Sequence, residues 1–394
     1  MPLKAKNMEL VKPEEKLKKL SPETLNRDIN QDDLDAFSLI TCLALSPDQV
    51  KRVCTPLEVF PEQKSVLAVH WHPEYVPMDL IRQRIESTFP QKKQELIIPT
   101  QHNQLMSYDG RYSGVEVDCY SRGFKRKVQL LLHFKSDKLE QANTLKSMLE
   151  HTFEYRSGQL FQLMETITDP KWEDYVQLAV EGTGVSDAVV EFARIQTWKL
   201  MTLLKENESP ASKEIIKNRL IKDFIDAQRH LYPENFINKV QVFIKSIKKI
   251  VKANFNLTYF YRTSEVIEEA RGIGAGIIVP HPEQFWPILL CEYDIDGYEV
   301  WNPQSQEYTE FLVNVINRQN RARGTGRKRL LLFMGDDTHL SEKIKDSISI
   351  EASKYYRDIG VQPAWDDLSI RKSLIIGNFS REKMIEEYKS RLEG

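Results

Sequence analysis

The chain has 394 residues, with 55 Lys and Arg against 57 Asp and Glu, a net charge of -2, and 41% apolar residues. This balance excludes a disordered or fibrous chain. It also removes any whole-molecule attraction to nucleic acid or membrane, so partners must be recognised by local clusters. Cys42, Cys54, Cys119 and Cys291 form no C-x-x-C pair and read as reduced, buried thiols. No apolar run approaches the ~18 residues of a membrane span, so the expected setting is cytoplasmic.

Residues 1–30 are rich in Lys, Glu and Pro and read as a loosely held tail without visible chemistry. From Asp32 to Glu62 two short amphipathic helices are expected, the second starting at Ser46 and Pro47, a pair suited to an N-cap and a first helical position. The strands follow as apolar runs: Ser65 to Val69, Glu95 to Pro99, Gly114 to Asp118, Val128 to Leu132, Gly276 to Pro280, Gly297 to Trp301 and Arg329 to Phe333. Runs of this kind suggest strands covered on both faces, as in parallel sheets. Helical patterns lie between several of them, at Met78 to Phe89, Glu283 to Leu290 and Tyr308 to Arg318, and a last one spans Ser380 to Leu392. About seven strand and helix units favour a barrel over an open sheet. Between 136 and 271 the strand signal gives way to consecutive amphipathic helices, long enough to hold a core of their own. The expected organisation is therefore a tail (1–30), a first barrel segment with N-terminal helices (31–135), a helical insertion (136–271), and a second barrel segment with a closing helix (272–394).

Six of the eight histidines stand at or just beyond the end of an apolar run: His70, His72, His102, His133, His281 and His339. In a parallel barrel those ends converge on one face. Glu116, inside the run GVEVD, and Asp337, in an Asp-x-His pair with His339, share the pattern. A single strand-end histidine is commonly just a hydrogen-bonded residue. Six of them, with a His-x-His, an Asp-x-His and an in-strand Glu, point to a metal pocket of imidazoles and carboxylates. Such donors suit Zn, Mn or Fe, and their number suggests more than one ion.

In order, these pieces resemble the polymerase and histidinol phosphatase (PHP) family of metal-dependent phosphoesterases. The His-x-His strand end is matched by VHWH, the second motif by IPTQHNQL, the Gly-apolar-Glu strand by SGVEVD, the following His by His133, the His-Pro motif by GAGIIVPHP with GYEVWN after it, and the final motif by GDDTH. The likeness covers Ser65 to His133 and Gly272 to about Leu340. It implies an α/β fold, a distorted (β/α)7 TIM-like barrel of PHP type, with the helical segment as a large insertion. It also implies two or three divalent ions (Zn, Mn or Fe) held by His70, His72, His102, Glu116, His133, His281, Asp337 and His339, with Asp337 and His281 as catalytic residues. The activity implied is hydrolysis of a phosphate ester by a metal-activated hydroxide, on a phosphorylated small molecule, a nucleotide or a nucleic-acid end. Two positions depart from the family pattern. Gln101 replaces an Asp, and Met78 stands where a further His is expected, with Glu74 as a candidate substitute. A two-metal site or a weakened third position follows, and a non-catalytic metal-binding scaffold or interaction protein is the alternative.

The basic run Arg318 to Arg329 leads into the last strand from the end away from the expected metals. It reads as a solvated loop, and with the helical insertion as a candidate partner contact. Gly272-x-Gly274-x-Gly276 precedes a strand, so it is not a dinucleotide loop.

Overall fold

The computed structural model describes residues 27–207, 219–324, 326–345 and 352–394, so most of the expected N-terminal tail lies outside the described residues. The described residues divide into two compact units. One joins the residues up to Leu43 with Tyr155–Asn256, and the other joins Ala44–Glu154 with Leu257–Gly394.

The first unit is helical, with α1 (Gln31–Thr41), the greater part of α4 (Asn143–Thr168), α5 (Glu173–Thr183), α6 (Asp187–Glu206), α7 (Leu220–Ala227) and α8 (Glu234–Asn254). Its core is a single apolar cluster that includes Leu163, Phe192, Leu200, Phe224, Val240 and Phe243. Asn30 and Asp33 close a capping box at the start of α1, and Gly184, in the left-handed conformation, ends α5.

The second unit carries the strands: β1 (Ser65–Ala68), β2 (Trp71–His72), β3 (Gln94–Ile97), β4 (Met106–Ser107), β5 (Tyr112–Ser121), β6 (Arg126–Lys135), β7 (Gly276–Val279), β8 (Gly297–Trp301), β9 (Leu331–Met334) and β10 (Thr338–His339). Around them run α2 (Pro47–Cys54), α3 (Met78–Thr88), α9 (Thr263–Gly272), α10 (Thr309–Ala322), α11 (Leu340–Lys343), α12 (Ala352–Tyr355), α13 (Leu368–Ile376) and α14 (Arg381–Glu393). Ser46 and Gln49 form the capping box of α2 with Pro47 in its first turn, as the sequence suggests. The segment Pro282–Leu290 is a 3-10 stretch kinked at Phe285, not an α-helix.

The described residues do not form the expected (β/α)7 barrel. The described strands form three sheets: a parallel pair β1 and β3, a parallel pair β2 and β10, and a six-stranded sheet in the order β4, β5, β6, β7, β8, β9. In that sheet β4 to β7 pair antiparallel, and only β7 with β8 and β8 with β9 are parallel. The error arises at β5 and β6. These runs are buried almost throughout, which resembles a parallel core, yet only residues 122–125 join them. A parallel crossover needs a dozen residues or more, so four can close only a hairpin. Among the cysteines only Cys119 is buried, while Cys42 is exposed and Cys54 and Cys291 are intermediate, so the expectation of four buried thiols fails for three.

Candidate metal centre

Backbone pairing brings His70, His72, His102 and His339 of the second unit together. Parallel pairing of β2 with β10 sets His72 opposite His339, and their rings stack with centroids 4.3 Å apart. His102 forms an isolated bridge with Glu116, and its ring stacks on that of His72 with centroids 4.5 Å apart, 6.1 Å from the ring of His339. The Asp337 amide donates to the His70 carbonyl at 2.9 Å, tying the loop after β9 to the end of β1. Four residues of this region, Glu74, Asn103, His281 and Asp337, adopt positive φ without being glycine. Such backbone costs on the order of 1–3 kcal/mol per residue and persists where the surroundings fix it, commonly at functional sites.

Asp337 Oδ1 is the centre of the arrangement. It lies 3.6 Å from His70 Nε2, 3.4 Å from His72 Nε2 and 3.5 Å from His339 Nε2. Glu116 Oε2 lies 3.4 Å from His72 Nε2 and 2.8 Å from His102 Nδ1. The spacings between 3.4 and 3.6 Å exceed a good hydrogen bond. Two ligands each ~2.1 Å from a shared ion at a tetrahedral angle would stand about 3.4 Å apart. The ligand atoms of His70, His72 and Glu116, and those of His72, His102 and His339, fall within 4.8 Å of one another in each group. His70 Nε2 and His281 Nδ1 are buried without a hydrogen-bond partner, a costly state for a polar atom unless something else satisfies it. On these grounds the residues fit a divalent cation.

The charge state agrees with a pocket built for positive charge. Burial alone would depress the His70 pKa, but the Glu299 carboxylate, with Asp337 and Glu116, carries it up to about 10. Burial opposes protonation of His339 as well, and Asp337 and Glu74 outweigh it, giving about 9. For His72 burial dominates, and neighbouring His339 and His102 push the same way, to about 3. Burial raises Glu116 and Asp337, but the surrounding imidazoles hold both carboxyls well below the usual range. An incoming cation would therefore compete with protons on His70 and His339.

Of the residues singled out from sequence, His70, His72, His102, Glu116, Asp337 and His339 converge. His281 stands beside them, its ring 5.7 Å from that of His70 and its backbone N–H donating to Glu299 Oε1 at 3.3 Å. His133 does not join them, which corrects its assignment as a ligand. Its Nδ1 lies 2.8 Å from the Tyr388 hydroxyl and its Nε2 3.0 Å from the Val69 carbonyl, so both ring nitrogens are already taken. The cause is the antiparallel pairing of β6 with β7, which places His133 opposite Gly276 at the start of β7, whereas His281 follows the end of that strand.

Several contributors were not anticipated. Glu299 Oε2 lies 2.6 Å from His70 Nδ1, and Gln129 donates to Glu116 Oε1. Gln304 Nε2 donates to Asp337 Oδ2 at 3.0 Å, while Arg357 Nη1 donates to the Asp337 carbonyl at 3.2 Å and lies 3.5 Å from Oδ2. These two leave Oδ1 turned toward the imidazoles. Glu299 had a sequence signal, the lone acid in the apolar run GYEVW, equivalent to Glu116 in GVEVD.

No protein-family profile and no curated protein matches the chain. Among solved structures, a chain from Bifidobacterium adolescentis described as a candidate metal-dependent phosphoesterase aligns with a TM-score of 0.42 and 15% identity, covering 81% of this chain and 98% of that one.

Proposed function

We propose that the chain is a metal-dependent phosphoesterase of the polymerase and histidinol phosphatase type, holding two or three Zn, Mn or Fe ions. The observation that carries the reading is the ligand-like spacing of three imidazole nitrogens about Asp337 Oδ1, with Glu116 serving His72 and His102. His70, His72, Glu116 and Asp337 would hold one ion, and His102 with His339 would serve another, with His281 at the margin. A divalent ion bound there would act as a Lewis acid, polarising a phosphoryl oxygen and lowering the pKa of water.

The remaining work falls to side chains of this chain. Glu299 holds His70 so that Nε2 faces the pocket. Gln304 and Arg357 hold Oδ2 of Asp337, which keeps Oδ1 turned toward the imidazoles and the ion they would hold. Arg357 has Nε and Nη2 buried without partners, and this positive charge beside the pocket favours an anionic substrate. A phosphorylated small molecule, a nucleotide or a nucleic-acid end meets that requirement.

A non-catalytic metal-binding scaffold is the second reading, favoured by Gln101, whose side-chain oxygen accepts from the Glu74 amide at 3.1 Å. The two readings separate in one experiment. The protein is purified without chelator, its metal per chain is measured, and a phosphomonoester and a phosphodiester are offered with added Mn or Zn. Turnover that is lost in Asp337→Asn, with the fold intact, is the expected result. Bound metal without turnover of either ester would favour the scaffold, and metal well below one ion per chain would overturn both.

A further inference from the structure

Each nitrogen of His339 faces a carboxylate. Nε2 lies 3.5 Å from Asp337 Oδ1, on the side shared with His70 and His72, and Nδ1 lies 3.5 Å from Glu74 Oε1. The Glu74 carboxylate is itself placed, because Oε2 accepts from the Ser341 amide at 3.0 Å. Its backbone is placed too: φ is 53°, and the N–H donates to the Oε1 atom of buried Gln101. The amide of Gln101 thus braces the residue that backs His339. An ionised Asp at 101 could also accept from that N–H, but it would set a second full negative charge beside the Glu74 carboxylate.

We propose that Glu74, braced by Gln101 and Ser341, is a positioning residue for His339 and makes His339, with His102, an ion-binding position in this chain. The inference rests on the metal reading above and adds to it. A carboxylate on one imidazole nitrogen fixes the tautomer and ring orientation, so that the other nitrogen presents its lone pair to a cation. Glu299 does this for His70 at 2.6 Å, and Glu74 does it for His339 from a longer distance. Gln101, in place of an Asp, and Glu74, the candidate substitute for the His absent at Met78, are then parts of one local solution.

The test is titration of the full, metal-free chain with cobalt(II) alone, followed by calorimetry and by visible absorption, which reads the ligand field at the ion. The wild-type chain is expected to bind cobalt in at least two steps. Glu74→Gln should weaken one step about 10- to 100-fold, leave the other within about twofold, and change the visible spectrum of the weakened step alone. Glu74→Asp should recover part of the loss, and Gln101→Ala should show a smaller loss in the same step. Unchanged binding and an unchanged visible spectrum in Glu74→Gln would overturn the proposal while leaving the metal reading intact. A wild-type chain that binds no cobalt would overturn both. Should Glu74→Gln not fold, Gln101→Ala decides, since it keeps the carboxylate, and full affinity there would also overturn the proposal.

Discussion

His70 Nδ1 lies 2.6 Å from Glu299 Oε2, and each side chain is only 1% exposed. The contact links the end of β1 to the middle of β8, far apart in sequence, and turns Nε2 of the ring toward Asp337. Glu299→Gln keeps the size and most of the hydrogen-bonding capacity but removes the charge. Metal affinity is expected to fall about 10- to 100-fold, as for other outer carboxylates behind a ligand imidazole. Calorimetric titration of the metal-free protein measures it, and wild-type affinity in the variant would remove Glu299 from the site.

Gly335 supplies an independent way to disturb the same carboxylate. A β-carbon at this position would collide with the side chain of Glu299, and the residue is fixed in place because its amide donates to the Trp301 carbonyl at 2.8 Å. Gly335→Ala should therefore push Glu299 off His70 and reproduce the loss of metal affinity of Glu299→Gln, although it alters no polar group. Thermal stability should fall as well, since overpacking a tight site commonly costs about 1–3 kcal/mol. An alanine variant with normal metal affinity would show that Glu299 can move without consequence.

Seven of the ten described strands, β1, β3 and β5 to β9, were legible because each is a compact apolar run between turn residues, whereas the two-residue strands β2, β4 and β10 carry no such run. The pairing of the strands was not legible, since it depends on loop length, and reading β5 and β6 as parallel ignored the short turn at 122–125. That single error also placed His133 among the ligands, because an antiparallel strand ends at the opposite edge of the sheet from its neighbours. The converging side chains were legible as histidines at or just beyond the ends of apolar runs and as an acid inside one, and Glu299 obeys the same rule as Glu116. Gln304 and Arg357 lie in loops of ordinary polar composition, so only the fold reveals that both reach Asp337.

In the helical unit, Lys199 Nζ lies 2.7 Å from Asp33 Oδ2, with side chains 6% and 2% exposed. Gln228 supports the pair from 3.5 Å and also donates to Gln196 at 3.0 Å. Lys199→Met would strand the Asp33 charge in the core, and the expected loss is about 3–5 kcal/mol. The double change Asp33→Asn with Lys199→Met should restore most of it, because neither desolvated charge remains. Urea unfolding followed by far-ultraviolet circular dichroism checks this. If the double variant is as unstable as the single one, the cost lies in packing and not in the uncompensated charge.

His133 makes the stability of the second unit depend on pH. Val69 offers only a carbonyl, so Nε2 must carry the proton and Nδ1 must accept from the Tyr388 hydroxyl, which defines a neutral ring. Burial depresses its pKa from 6.5 to about 3. Between those values the unfolded chain binds a proton that the folded one does not, so stability falls as pH falls through this window, by up to ~1.4 kcal/mol per pH unit, and the residue contributes no pH dependence above it. His133→Gln can keep a donor for Val69 and an acceptor for Tyr388 but does not titrate. It is expected to be less stable than the wild type at neutral pH and to lose less stability on acidification. Denaturant midpoints at about pH 7 and about pH 5 should differ less in the variant, by the equivalent of about 2 kcal/mol. Parallel pH profiles for the two proteins would mean that His133 takes up a proton in the folded state, and the assigned hydrogen bonds would then be wrong.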